Sequence, residues 1–377
     1  MRRIIIVAIV LLSFTITGGL AAQGLTVSGL LDSSVSLRAG EGDFFFGIEE
    51  YANIRFQSKI RDRATVYGAV NLVAAAGDYA ANAALAAAGG FSVSPSAYVG
   101  GENYIAAIEL ERLYFRLHFE TSDFDGGLMR LPFGYGQVWG PSDFLNPKNP
   151  LKPDARPRAV LGAGFSWYPN DPLKLLGFGA APRNPFAHNS EGWLMGISGD
   201  RHWDKASVQA LYSFETPKEG SDSGIHRAGL SVKADMEAGF VVDMLYTYNS
   251  EMKTGVDGLS FSIGADYSFL DGKLIGLAEY LYNGDTSSTA LGYGGYFSDR
   301  HYVYTSFTWL FSDFTNVNTA FVFSFDYFSL TPVVIFSHDL FQGAVLTVSA
   351  QIPFDNDVFS TSGDLYFISS AKLRLRF

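Results

Sequence analysis

The side chains with chemistry to offer are cations set at even spacings. Arg112, Arg116 and His118 alternate with Leu113, Phe115 and Leu117, and Arg130 follows on the next segment. Lys372, Arg374 and Arg376 alternate with Ala371, Leu373, Leu375 and Phe377 at the end of the sequence. Arg55, Arg227 and Lys233 stand on the polar side of other alternating stretches. Side chains of a strand alternate faces with a period of two, so each set shares one face opposite an apolar one. Cations gathered on one wetted face of an enclosed space raise the local concentration of anions and lower that of cations. The same charges also have a purely structural use, pairing across strands with carboxylates such as Glu109 and Glu111 to stiffen a wall. Asp32, on the polar face of the first alternating stretch, is the expected neighbour of Lys372 or Arg374 if the first and last strands pair.

Other chemistry is poorly supplied. His118, His188, His202, His226, His301 and His338 are scattered with no nucleophile motif beside them, and Gly196-Ile197-Ser198-Gly199 is an incomplete nucleophile elbow. No two histidines sit at i, i+2 on one strand face and cysteine is absent, so no metal-ligand spacing appears. The doublet Asp355 and Asp357 is explained by a solvated acidic loop. A phosphate loop and nucleic-acid motifs are lacking, and the net charge of −11 opposes binding to DNA. The expectation is a protein that is not an enzyme, with no metal, no cofactor and no nucleic-acid partner.

The elements that would position these residues begin after an export signal. Arg2 and Arg3 precede an apolar run over 4–12, continued by Phe14 and Ile16, and then come Gly18, Gly19, Leu20, Ala21 and Ala22. This is a charged region, an apolar region and a small-residue cleavage site, so 1–22 is expected to be cleaved as a signal peptide. The run is shorter than the roughly 20 residues of a spanning helix. Without cysteine there is neither a lipid anchor nor a disulfide. One exported domain, 23–377, remains.

That domain divides into alternating segments separated by connections that are short and long in turn. Tight turns are expected at 61–63, 170–171, 236–238, 271–272, 312–316 and 340–343; a turn at 121–126 leads to a strand at 128–133; and an acidic loop spans 39–47. The segment 173–180 is marginal, and 78–88 is Ala-rich enough for a short helix. Long inserts lie near 77–103 and 134–158. A repeat of fixed period, as in a propeller or β-helix, is absent. Aromatic residues recur near segment ends, which suits the headgroup level of a bilayer. The fold expected is all-β, an antiparallel transmembrane β-barrel of about 18 strands within a range of about 14–18. Both termini are expected on the periplasmic side, with the strand ending at Phe377 closing onto the first and engaging the barrel-assembly machinery. The partners implied are outer-membrane lipid and small solutes, and the localisation is the outer membrane; oligomeric state is left open.

Arg130, Gly134, Gly136, Trp139, Gly140, Asp143, Asn146, Pro147, Arg158, Tyr168 and Pro169 form a distinctive stretch. Over about 40 residues it resembles porin-like outer-membrane barrels of diderm bacteria, of the alginate-export and related uncharacterised types. The resemblance implies a pore and a loop motif carried by Trp139, Asp143, Asn146 and Arg158. Physically, proline stiffens a long loop and Trp139 can anchor it, either folded into the pore as a constriction or outside it as a cap. The function expected is a channel for passive diffusion of small hydrophilic, anionic solutes. Two alternatives stand beside it: a plugged barrel acting as a surface adhesin or structural outer-membrane protein, and an exporter pore working with a periplasmic partner.

Overall fold

The computed structural model describes residues 24–40, 43–77, 97–101, 103–146, 159–181, 192–217, 223–249, 256–284, 299–326, 328–354 and 367–377. The segment 1–22, expected to be a signal peptide, the Ala-rich stretch 78–88, and Pro147, Arg158, Asp355 and Asp357 lie outside the described residues.

In chain order the strands are β1 (Leu25–Gly40), β2 (Asp43–Ile60), β3 (Ala64–Ala76), β4 (Ala97–Gly101), β5 (Tyr104–His118), β6 (Ser122–Met129), β7 (Val160–Asn170), β8 (Leu173–Ala180), β9 (Leu194–Trp203) and β10 (Ala206–Glu215). They continue as β11 (Ile225–Asp235), β12 (Gly239–Asn249), β13 (Leu259–Phe269), β14 (Leu274–Asn283), β15 (His301–Ser312), β16 (Thr315–Ser324), β17 (Ser329–Phe341), β18 (Ala344–Gln351) and β19 (Phe367–Arg376). All but β4 pair antiparallel with their neighbours along the chain, and β19 returns to β1, giving a closed 18-strand barrel. The short β4 pairs only with 104–108 of β5. Closure of β19 onto β1 leaves no open edge strand at the seam, the condition for crossing hydrocarbon with strands. No helix among the described residues is long and apolar enough to do so.

The seam is fixed by backbone and side chains together. The Gly29 N–H donates to the Phe377 carbonyl at 2.8 Å, and the Phe377 N–H returns to Gly29 at 3.1 Å. A Cβ on Gly29 would lie 2.6 Å from the Phe377 ring, so glycine here makes room for the terminal aromatic. Three residues along, Asp32 accepts from Arg374 Nε and Nη2, both at 2.7 Å, a planar fork-to-carboxylate pair.

Directly paired residues in an antiparallel ladder share a face, so one face can be traced round the wall. Asp32, Arg374, Tyr51 and Asn53 lie on it, while Leu31, Leu373, Ile54 and Phe56 lie on the other. The second face is outward. It carries exposed apolar residues along β2, β9, β12 and β15, with aromatics toward both ends, as in Trp203 of β9 with Trp193 just before it, and Tyr248 and Phe240 of β12. This is the alternation of a barrel wall facing hydrocarbon.

The segment count agrees with the sequence, but several boundaries differ. β6 spans Ser122–Met129, where a turn is expected at 121–126 and a strand at 128–133. Asp123 and Asp125 resemble turn residues, but they are inward strand residues that pair with His118 and Arg116. The chain leaves the sheet at Arg130, so 131–133 is loop. Most of the acidic loop expected at 39–47 is strand, since β1 runs to Gly40 and β2 starts at Asp43, with Phe44 and Phe46 continuing the outward alternation. The marginal segment 173–180 is the full strand β8.

Removing Arg374 leaves Asp32 enclosed without its guanidinium. Arg374→Ala is expected to lower the urea-unfolding free energy of the refolded barrel by about 2–3 kcal/mol, toward the lower end for a buried pair because Arg374 keeps 19% of its side chain exposed. The Asp32→Ala/Arg374→Ala double variant should recover about 1 kcal/mol or more relative to the sum of the single losses. Strict additivity would mean that the pair does not hold the seam.

Candidate functional site

The lumen is shaped by 130–146, which turns inward from the end of β6 and packs against β8–β16. Its apolar side chains Leu131, Phe133, Val138, Trp139 and Phe144 form the barrel's largest buried cluster, together with Phe178, Leu211, Leu245, Leu281 and Tyr302. Trp139 is fully buried, with ring centroids 6.3 Å from Tyr302 and 6.2 Å from Tyr304. Of the two placements open from sequence, cap or inward fold, the inward fold is the one observed.

A loop in a lumen must find partners for its backbone N–H groups, because burying them bare costs about 1–3 kcal/mol each. Inward carboxylates and polar side chains of β9–β14 supply them. Glu279 accepts the N–H of Val138 at 3.0 Å and of Trp139 at 2.9 Å, one on each oxygen. Tyr135 N–H donates to Ser231 Oγ at 2.9 Å, Gly134 N–H to Gln209, and the Tyr135 hydroxyl to Asp200. Gln137 reaches Asp266 at 2.7 Å. Within the loop, Asp143 accepts the Phe133 N–H at 3.1 Å, tying its two limbs together. Gly134 has φ +73 and packs against Ser142 and Asp243 so closely that a Cβ would overlap Ser142 Oγ.

The motif residues act as that loop's own fastenings. Trp139 is its apolar plug, Asp143 its cross-link, and Asn146 is buried at 2% exposure near its end, its N–H donating to the Asp143 carbonyl at 3.0 Å. The fourth motif residue, Arg158, is outside the described residues. Sequence reasoning missed the acceptors. Asp200, Glu279 and Ser231 look like ordinary inward polar residues, and only the loop's position gives them their partners.

Tracing paired residues from Gln209 through Asp200 to Lys174, then from Leu176 two positions along β8 through Ser166 to Asp123, from Asp125 through Arg116 to Thr65, and on along β2 through Arg55 and Asn53 to Leu30 and Arg376, stays on the face that the loop touches. Arg55, Arg112, Arg116, His118, Arg227, Lys233, Lys372, Arg374 and Arg376 all share it, and Arg130 stands where the loop leaves the wall. A bulge in β5 gives Arg112 its side: Val70 pairs with Leu110 and Ala69 with Arg112, so Glu111 is an extra residue and both Glu111 and Arg112 point inward.

Most of these cations have carboxylate partners. Arg116 forms a two-bond pair with Asp125 at 2.6 and 3.0 Å, and His118 Nδ1 lies 2.9 Å from Asp123. Glu111 lies 2.7 Å from Arg130 and 3.4 Å from Arg112, and Lys233 lies 3.0 Å from Asp235. Arg55 donates to Asn53 at 2.6 Å, within a network in which Asn53 and Asn71 bond Glu111 and Glu109. Arg227 is different. It is buried beneath the loop, stacked 4.9 Å over Phe144 and paired with Glu215 at 2.8 Å. The lumen therefore has two sides, an apolar one filled by the loop and a charged one along β1–β3, β5–β6 and β19 where Arg112, Arg116 and Arg130 retain partial exposure.

Glu279→Gln removes one of two acceptors and points an NH₂ at a backbone N–H. Amide hydrogen exchange at Val138 and Trp139 is expected to quicken roughly tenfold or more, the equivalent of about 1–2 kcal/mol, with the flanking strands unchanged. Wild-type exchange at both amides would show that Glu279 does not hold the loop.

No family model matches this chain, and no curated protein matches it. Solved structures do. Acinetobacter baumannii OccAB1 shares 10% identity at a TM-score of 0.58, covering 95% of this chain and 99% of that one. Pseudomonas aeruginosa OccK2 (OpdF) shares 9% at a TM-score of 0.60, covering 94% and 97%, and A. baumannii OccAB4 shares 13% at 0.56, covering 94% and 99%. These likenesses are of fold: this chain shares with them the architecture of a closed 18-strand antiparallel β-barrel.

Proposed function

We propose that the chain is an integral outer-membrane channel through which small hydrophilic solutes diffuse, with a preference for anions. The observation that carries this is the two-sidedness of the lumen: the loop occupies the apolar half, and partly exposed arginines line the other. A guanidinium has five N–H donors, and a carboxylate engaged fork to fork uses two of them. The paired arginines thus keep donors for a passing anion while their carboxylates cancel much of the net field. Selectivity rests on those donors more than on bulk charge. Arg55, Lys372, Arg374 and Arg376 extend the charged side toward the β1–β19 seam.

The likeness to Occ/OprD channels for small solutes supports the transport class. The finer likeness to alginate-export barrels is carried by the loop residues alone. In this reading both termini and the tight turns face the periplasm, and β19, ending at Phe377, is the strand that the barrel-assembly machinery engages.

The test is the reversal potential of the refolded protein in a planar bilayer across a KCl gradient. Anion selectivity is expected in the wild type. The Arg116→Gln/Asp125→Asn variant keeps the net charge and replaces the cationic guanidinium donors by neutral amide ones, and should move the chloride-to-potassium permeability ratio toward one. A cation-selective wild type would defeat the anion preference, and the absence of conductance steps from a folded barrel would favour the plugged alternative.

A further inference from the structure

The outward wall is apolar nearly everywhere, but on β7–β10 it is also hollow. Phe165, Trp167, Leu175, Ile197 and Tyr212 rim a groove of about 480 Å³, within the range of pockets that hold small molecules. Its floor is made of small residues, Gly177, Gly199 and Ala210, which share the outward face with the rim by the ladder pairs Leu175 with Gly199, Gly177 with Ile197 and Ala210 with Gly199. Gly177 is the informative one. A mid-strand glycine costs roughly 0.5–1 kcal/mol relative to alanine, and such glycines are usually explained by crowding or by a left-handed backbone. Neither applies. A Cβ on Gly177 would meet nothing within 4 Å, and its φ is not among the positive values. The space over it is open to the outside of the barrel, so only something outside the barrel would use it.

What fits there is set by the groove's mouth. Two residues beyond Gly199, toward the tight turn at 204–205, Arg201 projects from the same face and stacks 5.0 Å over Trp203. Its cross-strand neighbours are Leu173 and Val208, both apolar, and among the described residues Arg201 makes no ion pair. Trp203 beside Arg201 and Trp167 on the groove's rim are each about half exposed, and indole rings favour a membrane interface. A cation held at headgroup height, at the end of a greasy groove running into the hydrocarbon band, complements one kind of molecule: a lipid with an acyl chain and an anionic phosphate group.

We propose that the outward face of β7–β10 is a specific site for one anionic phospholipid, its acyl chain lying over Gly177, Gly199 and Ala210 and its phosphate group on Arg201. The site presupposes only that the barrel lies in a membrane, and it is separate from the lumen. Its guanidinium contact should favour phosphatidylglycerol over zwitterionic phosphatidylethanolamine by about fivefold to tenfold, about 1–1.4 kcal/mol for one charge-assisted contact at an interface.

The experiment equilibrates the full-length refolded barrel with vesicles of mixed phosphatidylethanolamine and phosphatidylglycerol, extracts it in mild detergent, and weighs the complex by native mass spectrometry. One retained phosphatidylglycerol per barrel is expected. Gly177→Leu, which meets no clash at its Cβ, should abolish retention while leaving heat-modifiable folding and single-channel conductance intact. Arg201→Gln should keep a bound lipid but erase the preference. Retention unaltered by Gly177→Leu, or equal retention of the two lipids by the wild type, would overturn the proposal. So would a mass showing that a second copy of the chain occupies this face and is lost in Gly177→Leu. A channel that conducts normally but retains no lipid would overturn this site and leave the transport reading untouched.

Discussion

Everything in this molecule depends on the chain's ends meeting. A wall in hydrocarbon has no water with which to satisfy an open strand edge, so β1 and β19 must pair or the sheet cannot remain in a membrane. Gly29 leaves the room that Phe377 needs, the two exchange backbone hydrogen bonds, and Arg374 grips Asp32 just inside. Side chains and main chain fix the same register, and a slip of one residue would carry Arg374 to the lipid and Leu373 to the lumen.

The loop at 130–146 inverts the usual logic of an enclosed wet space. Its apolar side chains convert half of the lumen into a packed core, and its backbone is satisfied by carboxylates that would otherwise face water. Glu279 is as much a structural ligand of the peptide chain as it is a residue of the wall. Water and solute are left with the opposite side, where charge is dense but paired. Position in the lumen alone does not decide a residue's role: Arg227 and Arg116 share a face, but one is sealed under Phe144 and the other is partly open.

Alternation made the wall legible in the sequence. A period of two runs through most of the wall, broken at bulges such as that of β5, and at the carboxyl end it separates Lys372, Arg374 and Arg376 from Leu373 and Leu375 without ambiguity. It failed where polar residues imitate a turn, as Asp123 and Asp125 do, since a carboxylate pairing inward and one in a solvated loop look alike until the opposite strand is known. The loop's stiffness and its anchoring tryptophan could be read from Trp139 and its prolines. Its destination could not, because the acceptors that hold it come from strands far along the chain, at Asp200, Ser231 and Glu279. The groove over Gly177 was invisible for a similar reason: one glycine in a strand says little until its empty surroundings are seen.

The eight residues of β6 have a consequence for the wall itself. By turning inward early, β6 pairs with only 113–118 of β5, and the five-residue β4 folds back to pair with 104–108 on the same side. A sheet that gave up part of a strand to fill its own interior would otherwise present a bare ribbon of amides, an invitation to any passing extended segment. The patch closes 104–108 to that invitation, so the barrel fills its interior while much of this flank stays paired.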